Sequence, residues 1–291
     1  MRRFFSLLAT LIATAVPAAA MTSSPALSAA PSHYASIDGA RVHYKVLGKG
    51  RVTLVFVHGL GGEMNVWREQ AQRFSAKNRV MLIDLPGYGQ SDKPQNVKYS
   101  MRFFARGIRA AMDDAKIDRA VLVGHSMGAA VIREFDRMYP SRTRALVVVD
   151  GALINNLPPE AVEKFIGPMR GPDYVQNIEA MFDAMTGHAS PPLRMELKAA
   201  AAATPQHVLV STMEGMFEPS VWKEDKITIP LLVINTSSPM WTAKYVDAVR
   251  AMAPDLRYMT IDDTDHFIML ERPDAFDEAI EKWMKGKGLT K

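Results

Sequence analysis

The chain has 291 residues, a formal charge of +4 from 35 Lys and Arg against 31 Asp and Glu, 48% apolar and 23% charged residues, and no cysteine. That balance is ordinary for a globular protein and suits one α/β domain with an insertion, or two small domains. The absent cysteines exclude disulfides, thiolate metal sites and a cysteine nucleophile. The weak charge, with no basic run, argues against a nucleic-acid partner.

The first residues read as a secretory signal. Arg2 and Arg3 precede the apolar run "FFSLLATLIATAV", which is short for a membrane span, and Ala18-Ala19-Ala20 suits cleavage before Met21. A later cut near Ala29 or Ala30, or an uncleaved anchor, stays open. "RRFF" is a faint twin-arginine match. The division expected is a signal over 1–20, a loose Ser/Ala/Pro linker over 21–32, a core over 33–151 and 223–291, and a helical cap over 152–222. The mature chain is then expected to be secreted or periplasmic, with no stable membrane span.

Residues 34–48 alternate around Asp38-Gly39, a hairpin signal. "VTLVFVHG" is continuously apolar, as a strand buried on both faces would be. A helix over about 65–76, the strand "RVMLID" and the Gly/Pro-rich loop "LPGYGQSDKP" follow. Helical spacing from Ser100, the strand "RAVLVG", a helix over 127–139 and the strand "RALVVVD" complete the first half. Residues 151–222 then show helical patches without a clear strand, rich in Met and Pro. The alternation returns with "IPLLVIN", a helix over 242–252, "LRYMTI" and a last helix from about Asp274. Eight strands alternating with helices predict an α/β fold, a mostly parallel sheet covered on both faces, with a helical cap after strand six.

Gly124-His125-Ser126-Met127-Gly128 fits G-x-S-x-G between a strand and a helix. There a strained turn lifts the serine, and side chains at the two glycines would crowd it. "FVHGLGG", "DLPGYGQSDKP", "VGHSMGA" and "DDTDHFIMLERPDAF" stand in the order of the α/β-hydrolase fold superfamily. The chain resembles its serine esterase or lipase-like members over about 34–285, the insertion aside. The resemblance implies Ser126 as nucleophile and His266 as general base, with the N–H groups of Leu60 and Met127 as oxyanion donors. It implies no cofactor. The serine argues against relatives that carry an aspartate there.

The other histidines read differently. His58 reads as part of the His-Gly turn. His125 should point away from the substrate oxygen, and His188 and His207 default to surface or packing roles. No pair has metal-ligand spacing with a carboxylate partner, so no metal is expected. Asp84 and Asp92 read as loop-fixing. The methionines of 152–222, with Phe165, Phe182 and Phe217, either pack the cap or line an apolar pocket.

The acid departs from the pattern. Relatives commonly carry it after strand seven, but "LLVINTSSPMWTAKYV" has no carboxylate, and the expected position falls near Pro239. Asp150, ending strand six, is one candidate. Asp263 and Asp265, beside His266, are others, and a dyad without an acid stays open. The expected activity is hydrolysis of small esters with an apolar acyl or alcohol part, through an acyl-enzyme. Thioester, lactone, amide or C–C hydrolysis, cofactor-free peroxidation and a hydrolase-like binding protein are the alternatives. Substrate identity and oligomeric state are not legible.

Overall fold

The computed structural model describes residues 23–155 and 157–290, so the leader reading lies outside the described residues. The linker expectation needs correction. Residues expected to be loose form a short helix, α1 (Pro25–Ala29). Ser24 Oγ accepts from Leu27 N, Pro25 opens the first turn, and Leu27 is only 1% exposed. Burying one leucine and capping one turn ties down a segment whose composition alone looks unstructured.

The hairpin of β1 (Ser32–Ile37) and β2 (Ala40–Leu47) turns at Asp38 and Gly39, with φ of 49° and 84°. Two successive left-handed residues match the twist of the flanking strands. Then follow β3 (Thr53–Val57), a 3-10 turn at Met64–Trp67, α2 (Arg68–Phe74), β4 (Arg79–Ile83) and α3 (Met101–Asp114). Ser100 caps α3 by accepting from Phe103 N. β5 (Ala120–His125), α4 (Met127–Met138) and β6 (Thr143–Val149) complete the first half. Four helices come next: α5 (Pro159–Ile166), α6 (Tyr174–Ala184), α7 (Pro191–Ala202) and α8 (Gln206–Met216). The chain closes with β7 (Leu231–Thr236), α9 (Ala243–Met252), β8 (Leu256–Ile261), α10 (Ile268–Glu271) and α11 (Pro273–Gly286).

The described strands form one eight-stranded sheet in the order β1-β2-β4-β3-β5-β6-β7-β8. Only β1–β2 and β2–β4 pair antiparallel; the remaining pairs are parallel. Because side chains alternate along a strand, each central strand feeds two cores. Val55, Val57, Leu122, Val148 and Val233 meet Phe104, Ile108, Ile132 and Val249 of α3, α4 and α9. Leu54, Phe56, Val123, Val147 and Ile234 meet Trp67, Phe74, Phe276, Ile280 and Met284 on the opposite face. Helices on both faces leave the strand ends as the open edge, and the loops after β3, β5, β6, β7 and β8 gather there.

Candidate active site

Ser126 joins β5 to α4 at φ 55° and ψ −120°, a backbone that a residue with a side chain adopts only under strain. Its N–H donates to Val149 O at 2.9 Å, which pins the turn to β6. A methyl group on Gly124 would lie 2.4 Å from Gly128 O, and one on Gly128 would lie 2.6 Å from Val57 O. Both glycines are therefore required by close approach of backbone. Met127 opens α4, so its N–H is among those a helix leaves without an intrahelical acceptor.

The loop after β3 lies against the serine: a Cβ on Gly59 would be 2.9 Å from Ser126 Cβ. This loop carries Leu60. His58 holds it from within. Its Nδ1–H donates to Gly59 O at 2.8 Å while Nε2 accepts from Leu85 N at 3.0 Å. Burial holds His58 below the ordinary histidine range, which keeps the ring neutral for this double duty. Its place is structural, as the His-Gly turn suggested.

His266 follows β8, and its Nδ1 lies 2.7 Å from Asp150 Oδ2. Asp150 directly follows β6 and is buried, while the His266 side chain keeps 18% exposure. Burial alone would push the Asp150 carboxyl up. The hydrogen bond and charge of His266, with the Thr236 N–H, outweigh it and hold Asp150 below the ordinary carboxylate range. The acceptor-only carboxylate fixes the tautomer: Nδ1–H donates and Nε2 keeps the lone pair. The other acid candidates face elsewhere. Asp265 pairs with His188 of the α6–α7 loop at 2.9 Å, and the 84%-exposed Asp263 lies 3.8 Å from Arg272.

His125 lies under the pair. Its Nε2 is 2.8 Å from His266 O, and the two rings are 4.5 Å apart. Burial and the neighbouring His266 push its pKa down, so the neutral ring donates to that carbonyl and fixes the histidine loop. His207 packs its ring against Tyr99. His188 does more than its surface default suggested, since it ties the cap to the residue before His266.

The helices between β6 and β7 cover these loops. Phe182 of α6 and Ala201 of α7 come within about 3.1 Å of where a Gly61 Cβ would stand, and Val208 of α8 reaches Gly87. The Phe182 ring also packs at a tilt against Phe267, with centroids 5.9 Å apart. Met169, Met213 and Phe182 are buried, whereas Met195 is exposed. Sequence reasoning missed Thr236 and Trp241, which both donate to Asp150 Oδ1. The one signal was negative, the lack of a carboxylate in their loop. Among the described residues no group of three or more His, Asp or Glu side chains gathers as a metal site would.

A model described as the alpha/beta hydrolase family matches residues 54–279. The chain belongs to the alpha/beta hydrolase family. The chain is 33% identical over 175 residues to a 2-hydroxy-6-oxononadienedioate/2-hydroxy-6-oxononatrienedioate hydrolase of Paraburkholderia phymatum, a match covering 56% of this chain and 60% of that protein. It is 34% identical over 122 residues to the dihydrolipoyllysine-residue acetyltransferase component of the acetoin cleaving system of Cupriavidus necator, covering 42% of this chain and 32% of that protein. It thus spans less than two thirds of these curated relatives. Among solved structures, Est816, described as an N-acyl homoserine lactone degrading enzyme, is 25% identical with a TM-score of 0.73, covering 86% of this chain and 99% of that one.

Proposed function

We propose that this hydrolase cleaves carboxylic esters through an acyl-enzyme, with Ser126 as nucleophile, His266 as base and Asp150 as the acid that orients it. The observation that carries the reading is the 2.7 Å contact of His266 Nδ1 with Asp150, whose neighbour Val149 accepts from the N–H of Ser126 at φ 55°. Ser126 Oγ attacks the carbonyl carbon as its proton passes to His266 Nε2. Asp150 steadies the imidazolium without taking the proton. The N–H groups of Leu60 and Met127 face the charge that develops on the carbonyl oxygen, so they favour the transition state over the substrate. The C–O bond breaks, and His266 returns the proton to the leaving alkoxide. Water then repeats the sequence on the acyl-enzyme.

Phe182 and Ala201 over Gly61 support an ester with an apolar acyl or alcohol part. The likeness to Est816 along most of both chains favours a second reading, opening of a lactone. There the same steps apply and the leaving alkoxide stays tethered to the acyl group. Assays on short p-nitrophenyl esters and on γ-lactones test both. Ser126→Ala is expected to lower kcat by about a millionfold while the far-UV spectrum is unchanged. Retention of a tenth of the activity would exclude Ser126. A wild type inert on both substrate classes would sink the proposal.

A further inference from the structure

The Asp150 carboxylate is held from two sides. Oδ2 faces His266, and Oδ1 accepts from Thr236 N at 3.0 Å, Thr236 Oγ1 at 3.2 Å and Trp241 Nε1 at 3.1 Å. All three donors belong to the end of β7 and the loop after it, a stretch with no carboxylate between Asp225 and Asp247. The loop that lacks an acid supplies the hydrogen bonds for an acid on the neighbouring strand.

The backbone at Asp150 needs such support. Its φ is 39°, a left-handed conformation that persists in a non-glycine residue only when the surroundings over-determine it. Asp150 N donates to Ile234 O at 2.9 Å. The Trp241 ring lies 5.1 Å from the Tyr245 ring, and Tyr245 OH accepts from Leu153 N at 3.0 Å. One aromatic pair therefore grips the turn at the Asp150 carboxylate and again three residues later, where the chain leaves for the cap.

We propose that Trp241 is a positioning residue of the active site: its indole N–H holds Asp150 toward His266 and sets how strongly the carboxylate draws on the imidazolium. The inference rests on the reading of Ser126, His266 and Asp150 given above. A donor on Oδ1 takes up part of the carboxylate charge, leaving less on Oδ2. Removing it concentrates charge toward His266, which favours the protonated ring. It also frees the carboxylate to rotate, which weakens orientation of the ring.

The test compares wild type, Trp241→Phe, Thr236→Val and Asp150→Asn in pH profiles of kcat/KM on a p-nitrophenyl ester. Phenylalanine keeps an aromatic ring beside Tyr245 and removes the N–H donor together with part of the indole's bulk. Trp241→Phe is expected to lower kcat about tenfold, with KM within about twofold, and to move the acid limb to higher pH. Thr236→Val, which keeps the backbone donor, is expected to do the same more weakly. Unchanged thermal midpoints exclude misfolding as the cause. If Trp241→Phe has wild-type kcat, or its acid limb stays put or moves to lower pH, the inference is overturned. An active Asp150→Asn enzyme would instead overturn the acid assignment beneath it. An inactive Asp150→Asn beside a wild-type-like Trp241→Phe fails the Trp241 inference alone.

Discussion

The His266–Asp150 and His43–Asp84 pairs are built alike. In one, His266 Nδ1 lies 2.7 Å from Asp150, and the His266 ring lies 4.5 Å from that of His125, the residue before Ser126. In the other, His43 Nδ1 lies 2.7 Å from Asp84 and Nε2 lies 2.9 Å from Ser32 Oγ. Their polarity is alike: an acceptor-only carboxylate makes Nδ1 the donor, so a neutral ring keeps its lone pair at Nε2. Their settings differ. Ser32 starts an edge strand in extended backbone, whereas Ser126 stands at φ 55° before the N-terminus of a twelve-residue helix. Asp84 also accepts from Met64 N at 2.8 Å and Gln90 N at 3.0 Å, and it is buried with His43. That pair clamps the loops after β3 and β4, the loop-fixing role the motif suggested for Asp84. Hydrogen-bond polarity alone does not make a nucleophile. In the proposed mechanism it is the lifted serine, with the N–H groups of Leu60 and Met127 as oxyanion donors, that makes the difference.

The sharpest break of this comparison is an exchange of the two acids. Asp150→Asn is expected to lower kcat per folded molecule by about four orders of magnitude, as loss of an orienting acid can, and to lower the urea midpoint too, because its buried carboxylate also accepts from Thr236 and Trp241. Asp84→Asn should act on stability alone. It brings an amide against donors that need a carboxylate, so unfolding free energy should fall by about 2–3 kcal/mol while kcat per folded molecule stays within about threefold. A thousandfold kcat loss in Asp84→Asn would erase the distinction.

Covalent labelling gives a smaller but cleaner contrast. A fluorophosphonate should modify wild type on Ser126, and Ser126→Ala should take up no label on Ser32 when its peptides are weighed. An adduct on Ser32 would show that the buried His43–Asp84 pair suffices to activate a serine. Ser32→Ala should leave kcat unchanged and lower stability by about 1 kcal/mol or less, the loss of one neutral hydrogen bond.

The smallest effect concerns the cap. His188 N and Nδ1 both bind Asp265, and His266 N donates to Met185 O of the same cap loop. The hydrogen bond and charge of Asp265 raise the His188 pKa, with Glu271 and Asp263 adding to it. Arg194 donates to Thr186 O and Gly187 O in that loop. The ion pair is complete below about 6.5, the unfolded-chain value, as long as Asp265 stays ionised, and it weakens as pH rises through the raised folded value. His188→Gln should raise KM by about twofold at low salt, given that exposed pairs are weak. Wild-type KM should drift up toward the variant's value at alkaline pH or high salt. Identical KM–pH profiles for the two would remove His188 from any role at the site.

Sequence alone determined what rests on local physics. Alternation around Asp38-Gly39 marked the hairpin, continuous apolar runs marked strands buried on both faces, and Gly124 and Gly128 marked the turn that lifts Ser126. Each signal is a pattern within about ten residues, set by backbone sterics and side-chain periodicity. Tertiary structure decided what depends on distant partners. Asp150 meets His266 across 116 residues and Trp241 across 91, and Asp84 meets His43 across 41. Asp150 stood ahead of Asp263 and Asp265 in the sequence because it ends "RALVVVD"; β6 and β8 flank β7, and that sheet order brings its carboxylate to the His266 ring. Composition also misread residues 25–29, because one buried leucine is a contact with the core and not a property of the segment.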